Sequence, residues 1–130
     1  AASAATLAQG ERLVRWGDAS RQLPACVQCH GDALAGVAPF IPGLLGLSRD
    51  YVSAQLGAWQ TGLRRAHAPD CMARIAGKLT ADDVSSIAAW LSSRPVPSRF
   101  TPAPAIKASL PIPCGGMDSP ALRAGAEQVQ

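Results

Sequence analysis

The pentapeptide Cys26-Val27-Gln28-Cys29-His30 constrains this chain more than any other stretch. Two thiols three positions apart, followed directly by an imidazole, can form thioether bonds to the two vinyl groups of a haem while the histidine ligates the iron. The spacing suits this role because one helical turn places both sulfurs along one edge of the porphyrin. The sequence therefore predicts one haem c, attached through Cys26 and Cys29, with His30 as an axial ligand of the iron.

Two other kinds of site are compatible with parts of this pattern. A thioredoxin-like redox pair also uses Cys-x-x-Cys, but it follows a strand in a βαβ unit, and residues 21–25 contain no β-branched or aromatic run. A zinc site needs four ligands, and a feasible set is Cys26, Cys29, His67 and Cys71. The zinc interpretation leaves His30 and Met72 without a role, so haem is the leading prediction.

The composition agrees with a protein built around a large cofactor. The chain has 130 residues and one Cys-x-x-Cys-His sequence, which predicts one domain with one haem and an extension. Only 5% of the residues are aromatic, so a porphyrin would supply apolar bulk that the side chains lack. The net charge of +3 is too small to indicate nucleic acid binding. No run of about 18 apolar residues predicts a transmembrane helix.

Two cysteines remain once haem takes the first pair. An even remainder predicts a disulfide between Cys71 and Cys114 and an oxidising compartment, most simply a bacterial periplasm, with two free thiols as the alternative. The opening residues 1–5 lack the basic start and apolar core of a signal peptide, so we interpret them as a mature end left after its removal. We therefore expect a periplasmic protein.

Four helices are predicted, each from a capping residue and apolar residues at helical spacing. They cover residues 6–17 capped by Thr6, 49–61 capped by Ser48, 71–76 capped by Asp70, and 80–93 capped by Thr80. The stretch 31–47 is rich in glycine and proline and is predicted to be an irregular loop. A loop of this length in a small domain needs something to fill it, and haem would do so.

The composition changes at Pro95. Seven prolines occur in the last 36 residues, and only residues 120–124 have a helical pattern. We therefore expect a haem-bearing helical domain over residues 1–94 and an extended proline-rich tail over 95–130 that is held by docking on the domain. A disulfide from Cys71 to Cys114 would fix this tail beside the loop that carries Met72.

An iron that stays six-coordinate in both oxidation states needs a second axial ligand, and a thioether favours the reduced iron. The chain has two methionines, Met72 and Met117. Met72 lies beyond the second predicted helix on a loop able to reach the opposite face of the haem, so it is the predicted ligand. The alternatives for the sixth position are His67, Cys71, Met117 and an open site.

Three further residues are candidates for contacts with the haem or its histidine ligand. The imidazole needs an acceptor for its other nitrogen, and the Pro42 carbonyl is the candidate because a proline-glycine turn can fold beneath the ring. Trp59 and Arg64 lie on or just past one face of the second predicted helix and can donate to the haem propionates. The alternatives are a core tryptophan and a solvated arginine.

These residues give the chain a resemblance to the class I c-type cytochromes, closest to the small bacterial periplasmic modules that occur singly or in tandem in diheme carriers. The matching positions are Gly10, residues 26–31, 42–46 and 51–64, Met72, and residues 79–91. The resemblance covers about residues 6–94. It implies that His30 and Met72 are axial ligands, that the Pro42 carbonyl orients His30, and that the first and last helices cross at Gly10 and Trp90.

The expected fold is all-α, with four to five helices around one covalently attached haem. The expected function is that of a monomeric one-electron carrier rather than an enzyme, with redox proteins as partners: a dehydrogenase as donor and an oxidase or reductase as acceptor. One alternative is a haem subunit or truncated module of a larger dehydrogenase or multihaem complex, because residues 122–129 echo the start of the first helix. Another is an enzyme or sensor with a labile sixth ligand.

Overall fold

The computed structural model describes residues 2–105 and 110–115 of the chain. Five α-helices lie in these ranges: α1 Ala4–Arg15, α2 Val27–His30, α3 Arg49–Thr61, α4 Cys71–Ala76 and α5 Ala81–Ser93. The described residues contain isolated β-bridges but no strand. None of the helices described is both long and apolar enough to cross a membrane. The architecture is the all-α arrangement that the sequence predicts.

Three helices begin at their predicted caps. The side chains of Ser48, Asp70 and Thr80 accept hydrogen bonds from backbone N–H groups in the first turns of α3, α4 and α5. Thr80 also forms a reciprocal capping box with Asp83. Gly62 ends α3 with φ +79°, a conformation that favours glycine.

The predicted start of α1 is wrong by two residues. Ser3, not Thr6, is the N-cap, and its hydroxyl oxygen accepts the Thr6 backbone N–H at 3.1 Å. Both residues can cap a helix, and Ser3 takes the role because its backbone is extended, with ψ 160°, while Thr6 is already helical. The helix ends at Arg15, before Gly17 turns the chain with φ +68°.

The core lies where α1, α3 and α5 meet, and its buried side chains include Leu13 and Trp90. Val14 is fully buried, and Trp90 is 3% exposed. At the crossing of α1 and α5, a Cβ atom on Gly10 would overlap the Ser86 carbonyl oxygen and lie 2.7 Å from the Cβ of Trp90. The crossing implied by the family resemblance is therefore present, and it depends on a residue without a side chain.

After α5 the described chain contains no helix, and it returns across the loop over residues 31–47. Ala103 forms a parallel bridge with Val37. Leu44 and Leu45, in the same loop, pack against the core. Met117 and the helical pattern over 120–124 lie outside the described residues.

An ion pair between a buried carboxylate and a partly exposed guanidinium joins the start of α5 to the turn that precedes Cys26. The guanidinium of Arg21 donates a hydrogen bond to the carboxylate of Asp83, and it also donates to the Lys78 carbonyl at 3.2 Å. Asp83 accepts the Thr80 backbone N–H at 2.8 Å. The hydrogen bond from Arg21 lowers the pKa of Asp83 to about 2, against the opposing effect of burial. This network fixes the entry to the Cys-x-x-Cys-His turn.

We expect Asp83→Asn to lower the free energy of unfolding by about 2 kcal/mol at neutral pH, because it removes the charge of a buried carboxylate that accepts hydrogen bonds from Arg21. The folded pKa of Asp83 lies below the unfolded value of about 3.9, so its contribution is present above that pH and is lost as the pH falls towards 2. Urea titrations between pH 7 and pH 2 should show a flatter acid dependence for the variant. Asp82→Asn, at an exposed position in the same turn, is the control. Equal effects of the two substitutions would contradict this assignment.

Candidate functional site

The two thiols and the imidazole lie on one short helix. Cys26 is the N-cap of α2, and its carbonyl accepts the His30 backbone N–H at 2.9 Å. Gly31 follows with φ +90° and turns the chain away from this helix. Cys26 and Cys29 are both unpaired and partly buried. The turn therefore presents two free sulfurs, at positions 26 and 29, and one imidazole at position 30 of a helical backbone, as thioether attachment requires.

The environment of the thiols does not favour dithiol redox chemistry. Burial raises the pKa of Cys26 to about 12, and it raises the pKa of Cys29 as well. A thioredoxin-like pair needs a thiol with a lowered pKa, and it follows a strand. Neither feature is present in the part of the chain that the structure describes.

The alternative zinc site is not assembled. Within residues 2–105 and 110–115, no three His, Cys, Asp or Glu side chains are grouped so that they could hold a metal ion. Cys71, one of the four candidate zinc ligands, is bonded to Cys114 instead. The disulfide that the sequence predicts is thus present, and it removes a ligand from the zinc set.

The imidazole of His30 is held in one orientation. Its Nδ1 donates to the Pro42 carbonyl oxygen at 2.8 Å, and the residue is only 8% exposed. The loop that brings Pro42 there is closed by two backbone hydrogen bonds, from Gly36 to the His30 carbonyl and from Leu44 to the Leu34 carbonyl. Burial lowers the pKa of His30, which favours the neutral imidazole. Nε2 is therefore the nitrogen whose lone pair is available to a metal.

Met72 occupies the first turn of α4. Asp70 caps this helix at Ala73 and also accepts the Ala66 backbone N–H at 2.9 Å, so one carboxylate fixes both the helix and the preceding turn. The Met72 side chain is partly buried against the same apolar core that Cys26 contacts. The thioether thus lies in a short helix whose start is fixed on both sides.

One residue that positions α4 is not indicated by the sequence pattern. The side-chain amide of Gln60, on α3, donates to the carbonyls of Ala76 and Leu79 at 2.9 and 3.2 Å. These hydrogen bonds give a donor to the carbonyl of Ala76, the last residue of α4, and to that of Leu79 just beyond it, and they join this segment to α3. Nothing local distinguishes Gln60 from other polar residues on a helix, because its partners lie 16 and 19 residues away.

Trp59 and Arg64 are close together. The guanidinium of Arg64 lies over the indole of Trp59, 4.8 Å from the ring centroid, and it donates to the Gln55 side chain at 2.8 Å. Trp59 is partly buried against the core, whereas Arg64 is exposed. The pair combines an apolar indole surface with an exposed cation, which can accept an anionic group.

The donor set fits a covalently attached haem. Cys26 and Cys29 are the two free sulfurs, His30 has one ring nitrogen engaged and one available, and Met72 is a soft thioether at the edge of the core. These observations, rather than the motif alone, show that the residues suit this cofactor.

Comparison with known proteins places the chain among cytochromes. It is 37% identical over 92 residues to the thiosulfate dehydrogenase electron acceptor of Thiomonas intermedia, covering 71% of this chain and 42% of that protein. It is 35% identical over 73 residues to cytochrome c-554(548) of Halomonas halodenitrificans, covering 56% of this chain and 88% of that protein. No family model matches the chain.

A solved structure gives the same result. The chain superposes on thiosulfate dehydrogenase from Marichromatium purpuratum with a TM-score of 0.66 and 41% identity, covering 69% of this chain and 19% of that one. The chain spans about two fifths of the length of the first two curated relatives that it matches, 42% and 39%. It covers nearly the whole of the small cytochrome from Halomonas. With its all-α fold and its Cys-x-x-Cys-His turn, this chain belongs to the cytochrome c family.

Proposed function

We propose that the chain is a one-electron carrier in which His30 and Met72 are the axial ligands of a haem c bonded to Cys26 and Cys29. When bound, haem c supplies an iron that alternates between Fe(III) and Fe(II). The observation that carries the proposal is the His30 geometry, because its Nδ1 hydrogen bond to Pro42 leaves Nε2 free on the turn that bears both thiols. With both axial positions filled by the protein, a carrier rather than an enzyme is the function that this site supports.

Each remaining residue has a defined task in this proposal. The Pro42 carbonyl fixes the imidazole plane and makes Nε2 a stronger donor. Asp70 and Gln60 hold α4 at its two ends, so that Met72 changes position little when the charge of the site changes. Arg64, stacked on Trp59, provides a cation for a propionate. In this proposal the protein keeps these groups fixed during electron transfer.

Substitution of the two thiols tests whether the haem is covalently attached. The wild-type protein should keep its visible absorption after extraction with acidic acetone, because two thioether bonds hold the pigment. Replacing both Cys26 and Cys29 by serine should release all of it. Replacing Cys71 and Cys114 is the matched control, because that pair is engaged in a disulfide. A wild-type protein that loses its pigment in acidic acetone would overturn the proposal.

The disulfide supports an oxidising compartment, and we place the protein in the bacterial periplasm. The last helix of the residues that the structure describes ends at Ser93, which supports a division into a cytochrome domain over 1–94 and a tail over 95–130. The chain's partners are redox proteins, with a dehydrogenase as donor and an oxidase or reductase as acceptor.

A second candidate is a haem module of a larger electron-transfer protein. It is favoured by the coverage, since most of this chain aligns with well under half of a relative named as the electron acceptor of thiosulfate dehydrogenase. In that case the donor is a dehydrogenase acting on a sulfur oxyanion. Stable co-purification with a catalytic subunit distinguishes a module of a complex from a freely diffusing carrier.

A further inference from the structure

The chain after α5 pairs with the loop that orients His30. The backbone N–H of Ala103 donates to the Gly36 carbonyl at 2.9 Å, and the Ala103 carbonyl accepts the Ala38 N–H at 2.8 Å. Gly36 in turn donates to the His30 carbonyl at 2.9 Å. Two backbone hydrogen bonds, through Gly36, therefore connect this part of the tail to the histidine.

Side chains of the tail support the same loop. A Cβ atom on Gly43 would lie 3.3 Å from the ring of Phe100, and one on Gly46 would lie 3.3 Å from a methyl group of Val96. Gly43 directly follows Pro42, whose carbonyl accepts the imidazole hydrogen bond, so the Phe100 ring lies against the next residue of that turn. The tail thus contacts the histidine side of the site at its backbone and at two side chains.

The same tail is fixed on the methionine side. Cys114 is 4% exposed and is bonded to Cys71, the residue before Met72. The Gly115 N–H donates to the Pro69 carbonyl at 2.7 Å. A Cβ atom on Gly115 would overlap the His67 carbonyl, so the backbone is set tightly against residues 67–69. Only glycine permits this approach.

We infer that the described parts of the tail, residues 95–105 and 110–115, act as a strap that positions both axial-ligand segments, with one anchor at Ala103 and the other at Cys114. The inference rests on the proposed function of His30 and Met72. Both ligands are carried by short or irregular segments, which open locally at lower cost than long packed helices. A disulfide and a backbone bridge restrict the open states of these segments, so the strap keeps Met72 in place while the cofactor changes charge.

The test measures how fast the ferric holoprotein binds cyanide, because cyanide enters only when the sixth ligand has left. In the variant with both Cys71→Ser and Cys114→Ser we expect binding to be about tenfold faster or more than in the wild type. Both thiols are replaced because a free thiol at position 71 would itself compete for the iron. At the second anchor, Ala103→Pro removes the N–H donated to Gly36 and should also accelerate binding. Ala103→Ser, which keeps that N–H at an exposed position, should not.

The Met72→Ala background separates failure of the strap from failure of the ligand assignment. If the strap acts through Met72, the serine pair should give no further acceleration when Met72 is already absent. The strap alone would be overturned if Met72→Ala binds cyanide fast while the double serine variant and Ala103→Pro both bind it at the wild-type rate. A wild-type rate in Met72→Ala would overturn the proposed ligand. If the serine pair does not fold, the comparison of Ala103→Pro with Ala103→Ser decides, since equal rates contradict the strap.

Discussion

Met72→Ala is expected to open the sixth coordination position and to lower the reduction potential. A thioether ligand stabilises Fe(II) relative to Fe(III), so its removal favours the oxidised state. The expected fall is on the order of 0.1 V or more, within the roughly 0.8 V range over which axial ligands set haem potentials. The variant should also bind carbon monoxide and cyanide at neutral pH, because no side chain then occupies the position.

Potentiometric titration and ligand binding measure this effect, and Met117→Ala is the matched control because Met117 is the only other methionine. The control should keep the wild-type potential. If Met117→Ala produced the larger fall, the sixth ligand would come from the tail. A wild-type potential in both variants would favour His67, which the sequence leaves open as an alternative.

The parts of the molecule that follow from local sequence were predictable. Thr80 and Asp83 form the capping box of α5 because the required groups are three residues apart, and the same reasoning places the caps of α3 and α4. The haem-binding turn is equally local, since both thiols and the imidazole lie within five residues. Membership of the cytochrome c family confirms the predicted all-α fold and the haem c cofactor.

The interactions that the sequence does not reveal join distant segments. Arg21 meets Asp83 across 62 residues, and no pattern around either residue selects the other. The Ala103 bridge uses backbone atoms alone, so its side chain carries no signal. The start of α1 was misplaced for a different reason, because Ser3 and Thr6 can both cap a helix and the choice depends on backbone conformation. The sequence thus indicates the candidate site residues, the Pro42 contact and the disulfide, but not the hydrogen bonds that connect the remaining distant segments.

Gly10→Ala tests the closest contact between helices, and we expect it to lower the free energy of unfolding by about 3 kcal/mol or more. The added methyl group would overlap the Ser86 carbonyl oxygen and lie 2.7 Å from the Cβ of Trp90. Backbone atoms cannot move aside as a flexible side chain can, so α1 and α5 must separate. Ser86 and Trp90 are both buried, and separation exposes the core between the two helices to water.

Gly57→Ala is the matched control for this effect. Gly57 lies inside α3, and a Cβ atom there meets nothing within 4 Å, so the substitution should stabilise the protein by about 0.5–1 kcal/mol through helix propensity alone. Urea titration and thermal melting of the two holoproteins should therefore move in opposite directions. If Gly10→Ala were as stable as Gly57→Ala, the α1 and α5 backbones would not meet at this distance. The close packing of α1 against α5 described above would then be incorrect.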